Sequence, residues 1–163
     1  MKQPRIKIFT TGGTIDKLYF DKSSTFEVGD PQIGEVLERS DVSLDYDVEI
    51  LLRKDSLEVT ESDRRIIREA ILGDDHRRVV VTHGTDTMVE TAKMLQDIPD
   101  KTIVFTGSMQ PARFYNSHAI FNIGCAITAA QVLPPGVYIA MNGRIFDADK
   151  VRKNREARRF EDV

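Results

Sequence analysis

Arg78-Val79-Val80-Val81-Thr82-His83-Gly84-Thr85-Asp86-Thr87-Met88 decides the architecture. Three consecutive valines make a short run that is apolar on both sides, as in a strand covered on both faces rather than one with a wet face. The run ends in hydroxyls, a glycine and a carboxylate. Met88, Thr91, Ala92 and Leu95 then recur at helical spacing. Strand, polar loop and helix in that order form the unit of a parallel α/β sheet.

The same unit repeats on either side. Ile6 to Thr10 reads as a first strand stopping at Gly12-Gly13, and Pro31 to Glu38 as a short helix. Val48 to Leu52 is a second strand. Thr60 to Leu72 is a helix with Thr60 as N-cap, Asp63 three residues on, Ile66, Ile67, Ala70 and Ile71 facing inward, and Gly73 as its C′ residue. Thr102 to Thr106 is a fourth strand, Ser117 to Gln131 a long apolar helix, and Val137 to Met141 a fifth strand. Asn142-Gly143 is a turn signal that lets Arg144 to Phe146 pair back. The expected fold is α/β: a single three-layer domain with a mainly parallel, doubly wound sheet of flavodoxin or Rossmann type, over residues 1–149. Residues 150–163 stand apart, with six Lys or Arg against three Asp or Glu. They read as a solvated helix or tail, or as a basic arm folding over a site or a partner subunit.

The 163 residues, 40% hydrophobic and 30% charged, suit one soluble globular body. A formal charge of −3 gives no electrostatic case for nucleic acid or an anionic membrane. Cys125 has no second cysteine to pair with and lies in an apolar run, which reads as a buried inert thiol. No apolar stretch approaches the roughly 20 residues of a membrane helix. Met1 to Arg5 runs into a strand without a signal-peptide core, so the expected compartment is the cytoplasm. His76, His83 and His118 share no ligand spacing with one another or with Cys125, so neither metal nor cofactor is expected.

In open parallel sheets ligands bind beyond the carboxyl ends of the strands. The segments there are Thr11-Gly12-Gly13-Thr14, Lys54-Asp55-Ser56, His83 to Thr87, and Gly107-Ser108-Met109-Gln110. Gly12-Gly13 lets backbone N–H groups approach a ligand closely. A phosphate cradle would need GxGxxG or the Lys-Ser/Thr of a P-loop, and both are missing. Thr85 and Asp86 are read either as caps of the next helix or as a hydroxyl and carboxylate placed for chemistry. His83 reads as a hydrogen-bonded structural residue.

Together these segments resemble the bacterial-type L-asparaginase family. The resemblance is carried by Thr11-Gly12-Gly13-Thr14-Ile15, by Val81-Thr82-His83-Gly84-Thr85-Asp86-Thr87-Met88 with Glu90-Thr91-Ala92, and by Thr106-Gly107-Ser108-Met109-Gln110-Pro111. Weaker matches are Asn122, Ala140-Met141-Asn142 and Val151-Arg152-Lys153-Asn154. It implies hydrolysis of L-asparagine to L-aspartate and ammonia through a threonine nucleophile, Thr14, and an acyl-enzyme. Thr85 would orient the second-stage water, Asp86 would hold the α-ammonium, and Ser56 beside Asp55 would bind the α-carboxylate. Backbone N–H groups near Thr14 and Thr85 would form the oxyanion hole, with Gly84 giving the backbone room, and the Ser108 carbonyl would receive the amide NH₂.

Departures from the family pattern carry their own expectations. The family's tyrosine falls at Phe26, so Tyr19, in a flexible-looking loop, would stand in for it beside Thr14. The family's lysine is expected in the helix near Ala129 to Leu133, where there is none, leaving Lys153 or Lys150 to supply the ammonium. Leu57 replaces an expected glutamine. The chain reads as a short member without the family's smaller C-terminal domain, assembling as a dimer or tetramer as relatives do. Alternatives are a non-catalytic amino-acid-binding or regulatory module, an amidase for glutamine or another ω-amide, and an ammonia-supplying subunit of a tRNA-charging assembly.

Overall fold

The computed structural model describes residues 5–163; the reading of the N-terminus as lacking a signal-peptide core rests partly on Met1 to Pro4, which lie outside the described residues. In chain order the strands of the main sheet are β1 (Ile6–Gly12), β4 (Tyr46–Lys54), β5 (Arg78–Thr82), β6 (Thr102–Thr106), β7 (Gly136–Met141) and β8 (Arg144–Asp147). Two hairpins lie apart from it: β2 (Lys17–Phe20) with β3 (Thr25–Val28), and β9 (Val151–Asn154) with β10 (Arg159–Asp162). The helices are α1 (Ile33–Arg39), α2 (Glu61–Gly73), α3 (Met88–Lys93) and α4 (Ala119–Val132).

The sheet order is β4-β1-β5-β6-β7-β8, with β8 antiparallel to β7 and the other neighbours parallel. Alternation along β5 explains both layers. Val79 and Val81 join Phe9, Ile103 and Phe105 under α2 and α3. Val80 joins Ile6, Ile8 and Val104 under α1 and α4. All three valines are fully buried, as a strand covered on both faces requires. This is the doubly wound α/β fold expected from the strand–loop–helix repeats. Its strand order leaves β1 to one side and returns on the other, so a crevice opens between the carboxyl ends of β1 and β5.

Several local expectations change. The Thr60–Asp63 capping box at the start of α2 is present, but Ile66 is exposed, because the inward stripe centres on Ile67 and Ile71. Gly73 is the last helical residue and keeps negative φ; the helix ends through extended Asp74 instead of a left-handed C′ glycine. Cys125 is half-buried on the outer side of α4, not enclosed. The segment holding Tyr19 is a hairpin, not a loop. The C-terminal arm is neither helix nor free tail: Val151 and Phe160 belong to the same core as Met88 and Ala92, which lays β9 across α3. Burying two such side chains contributes about 1.5–3 kcal/mol each, enough to dock a four-residue strand pair.

Candidate active site

The carboxyl ends of β1, β4 and β5 are stacked backbone to backbone. Gly13 has φ 89°, and a Cβ there would lie 2.5 Å from the Cα of Gly84. A Cβ on Gly84 would in turn lie 2.4 Å from the Cβ of Ser56. Only glycine permits both approaches. Hydrogen bonds lace the stack: Gly13 N–H to the Lys54 carbonyl at 2.9 Å, the Thr11 hydroxyl to the Thr82 carbonyl at 2.8 Å, and the Thr87 hydroxyl to the Ser56 carbonyl at 2.7 Å. Asp86 N–H donates to Ser56 Oγ at 3.2 Å.

His83 lies wholly inside this frame. Its ring nitrogens meet the Gly84 carbonyl at 2.8 Å and the Thr91 hydroxyl at 2.9 Å. Burial pushes its pKa down to about 4, against the bond to Gly84, so the ring is neutral at physiological pH. It is the structural histidine the sequence suggested.

Over the stack lies a cleft of about 490 Å³ lined in part by Thr14, Thr85, Asp86, Asn122, Lys153 and Arg155. Thr14 is half-buried in a 3-10 turn, Thr14–Asp16, directly after Gly13. Thr85 and Asp86 precede α3, whose N-cap, Thr87, makes no side-chain cap bond; both side chains are therefore free of the capping role. Instead they meet Lys153 from β9, whose ammonium donates to Thr85 Oγ1 at 2.8 Å and to Asp86 Oδ1 at 2.6 Å. Asn122 closes the far side: its amide donates to the Gly107 carbonyl at 2.9 Å and accepts from Asn142 N–H at 3.1 Å.

The expectation of a lysine in the helix near Ala129 to Leu133 is corrected by position. The carbonyls of Ala130 and Gln131 accept from Arg78, the first residue of β5, so that helix end sits at the amino edge of the sheet. A lysine there would face away from the cleft. Lys150 does not line the cleft: its side chain is exposed and, among the described residues, pairs with Asp147.

Other sequence-derived candidates fall beside the cleft. Tyr19 is half exposed and stands cross-strand from Phe26, ring centroids 5.3 Å apart, with Phe114 beyond. It does not line the cleft. Asp55 accepts from Leu57 N–H and pairs with Lys17 at 2.6 Å. Burial alone would raise its pKa, but Lys17 and the Leu57 N–H together hold it below the ordinary carboxylate value. Ser56 is buried beneath Gly84, its hydroxyl accepting from the Asp86 N–H rather than opening into the cleft. Ser108 is buried, its hydroxyl accepting from Gln110 N–H, while its neighbours Met109 and Gln110 line the cleft.

The asparaginase N-terminal family model matches residues 5–161. The chain belongs to the asparaginase family. L-asparaginase 2 of Bacillus subtilis is 30% identical over 92% of the chain and 44% of its own length. A glutamyl-tRNA(Gln) amidotransferase component of Archaeoglobus fulgidus is 31% identical over 96% of the chain and 40% of its own length. The structure of the thermostable L-asparaginase from Thermococcus kodakarensis superposes with a TM-score of 0.86 at 26% identity, covering 98% of the chain and 51% of that protein. The chain thus spans less than half the length of these two curated relatives.

Cleft residues missed at the level of sequence include Arg155 and Arg158, which reach the site from the turn between β9 and β10. Each strand of that hairpin has a single buried apolar anchor, Val151 or Phe160, too few for an alternating pattern. Among the described residues no cluster of His, Cys, Asp or Glu could hold a metal, and no helix is long and apolar enough to cross a membrane.

Proposed function

We propose that the cleft hydrolyses the side-chain amide of a small amino acid, with L-asparagine the reference substrate and Thr14 the nucleophile. One observation carries the reading. A hydroxyl on the β1 turn faces the same cleft as a hydroxyl–ammonium–carboxylate triad, Thr85–Lys153–Asp86, across the β1/β5 switch point.

Thr14 Oγ1 attacks the amide carbon, and its proton passes to the departing nitrogen, which leaves as ammonia. An ester with Thr14 remains. Water held by Thr85 attacks that ester, Thr14 recovers its proton, and the carboxylic acid leaves. Lys153 and Asp86 orient Thr85 and balance the charge that develops as the water attacks. Backbone N–H groups of the glycine-walled turns are suited to the oxyanion, at about 10²–10³ in rate per donor. Tyr19 has no place in this scheme, because its ring lies outside the cleft.

The intact triad weighs against a purely non-catalytic binding module. The similarity to an amidotransferase component supports a second reading, release of ammonia to a partner enzyme. A homo-oligomer is also proposed: Ile120, Phe121 and Val132 leave the outer side of α4 apolar and exposed, and light scattering reads the state. The decisive assay is ammonia release from asparagine and glutamine by the wild-type chain and by Thr14→Ala. A fall on the order of 10⁴-fold in the variant is expected; undiminished release would remove Thr14 from the mechanism.

A further inference from the structure

What places Thr14 is the turn around it. Main-chain atoms tie that turn on three sides: Gly13 N–H donates to the Lys54 carbonyl at 2.9 Å, Ala112 N–H to the Ile15 carbonyl at 3.0 Å, and Gly29 N–H to the Asp16 carbonyl at 2.8 Å. Among the described residues one side chain of the turn adds a hydrogen bond. It is Asp16, whose Oδ1 accepts from Gln32 N–H at 3.0 Å.

Both limbs of the β2–β3 hairpin meet at this residue. β2 begins at Lys17, directly after Asp16, and β3 ends at Val28, directly before Gly29. Asp16 therefore receives the returning chain twice, at its carbonyl and at its carboxyl, and Thr14 lies two residues away. Asp16 is only 2% exposed and does not line the cleft, so its influence on a substrate must pass through the turn.

A carboxyl is a sensitive group for that place. Ionised, it would be stripped of water with one N–H to compensate it. Its charged surroundings are engaged elsewhere: Arg53 of β4 pairs with Asp30 at 2.7 Å, and Lys17 of β2 pairs with Asp55 at 2.6 Å. Gln32, ahead of α1, and Ala112, in the β6–α4 loop, are uncharged. Burial accordingly pushes the Asp16 pKa up to about 7, against the Gln32 N–H and the more distant charge of Arg53. The neutral form suits the turn, and charge arrives as pH rises through that value.

We propose that Asp16 is a positioning residue for Thr14: its neutral carboxyl fastens the hairpin's returning limb to the turn, and ionisation loosens the fastening, so that turnover declines on the alkaline side. The inference rests on the reading of Thr14 as the nucleophile. A misplacement of about 1 Å in a reacting group can cost on the order of 10²-fold in rate, so slight slackening of the turn is enough.

Asp16→Asn keeps an acceptor for Gln32 N–H and removes the charge; Asp16→Ala removes both. Ammonia release from asparagine is compared for the two variants and wild type at pH 6 and pH 8. The ratio of kcat in Asp16→Asn to kcat in wild type should rise about tenfold between those values, as follows from a neutral fraction lost at one proton per site. Asp16→Ala should lose about tenfold or more in kcat at pH 6 with KM changed by less than about twofold, since the residue touches no substrate. A constant ratio between Asp16→Asn and wild type overturns the proposal, even where Asp16→Ala does not fold. Amide exchange of residues 13–17, corrected for intrinsic rates and read against β5 in the same molecules, follows the turn without turnover. Protection there should fall about tenfold from pH 6 to pH 8 in wild type and hold in Asp16→Asn. That exchange pattern with no ammonia from any of the proteins overturns the hydrolysis and leaves the fastening. Ammonia release with a constant kcat ratio and matching exchange in wild type and Asp16→Asn overturns the fastening alone.

Discussion

The turn that carries Thr14 and the hairpin that carries Lys153 face one cleft, yet different forces hold them there. Gly13 is wedged against Gly84, and Gly84 against Ser56, with gaps no side chain could enter. Lys153 arrives on a two-stranded hairpin docked by Val151 and Phe160, and two hydrogen bonds to Thr85 and Asp86 set its position. The first wall is backbone packing, continuous with the sheet. The second is a side-chain network laid over it. Damage to the first should therefore cost stability and activity together, and damage to the second activity alone.

Lys153→Met tests the second half of that contrast and has the larger expected effect. The substitution keeps length and apolar stem while removing the donor to Thr85 and Asp86. A fall of about 10²–10⁴ in kcat for ammonia release is expected, the range for losing a group that takes part in proton movement. The unfolding midpoint should shift by no more than about 2 °C, a change of about 0.5–1 kcal/mol for a chain of this size. A collapse in stability with this variant would show that the hairpin network holds the fold, and the contrast would fail.

Gly13→Ala tests the first half. A methyl group there meets the Gly84 backbone at 2.5 Å and must also adopt φ 89°, so neither wall can relax without moving a loop of the central sheet. Overpacking and backbone strain together predict a loss of about 3 kcal/mol or more in urea unfolding. Activity should fall with it, because Thr14 follows directly. Unchanged stability would mean that the stack gives more freely than its distances imply.

The same contrast explains what could be read from the sequence. Val79 to Val81, Ile103 to Phe105 and the Thr60–Asp63 box signal through local rules, and each folds as those rules require. Thr14, Thr85 and Asp86 could be placed because strand ends in a parallel sheet share one edge. Lys153 was legible only through a weak family match in a basic arm, not through any local folding rule. Its hairpin has one apolar anchor per strand, and its partners lie 67 and 68 residues earlier in the chain. Tyr19 fails for a related reason: nothing local in Lys17 to Val28 says whether it closes over Thr14 or pairs with itself, and the Tyr19–Phe26 pairing decides. Arg158 shows the limit most plainly, since its place at the cleft depends on a left-handed turn that no glycine announces.

The pH dependence of stability separates the two walls further. Asp16 sits two residues beyond Thr14 and is buried, with Oδ1 accepting from Gln32 N–H at 3.0 Å and Oδ2 without a partner among the described residues. Burial pushes its pKa up to about 7, against the Gln32 N–H and the charge of Arg53. A folded-state value above the unfolded one means that the protonated form stabilises the fold. That contribution is complete below about pH 4 and is lost as pH rises through about 7. Asp63 works in the opposite sense: Lys54 and the Thr60 N–H hold its pKa below the ordinary value, so its contribution is present above about pH 4. Asp16→Asn should therefore leave stability near the wild-type value at pH 5. It should gain about 2–3 kcal/mol over wild type by pH 8, because wild type loses about 1.4 kcal/mol for each pH unit up to about 7, while the cost of the new amide's donor is the same at every pH. Urea unfolding of both proteins at pH 5, 6, 7 and 8 reads the divergence. Parallel curves would place the pH sensitivity elsewhere, whereas diverging curves assign it to the packed wall behind Thr14 rather than to the exposed ion pairs of the hairpin.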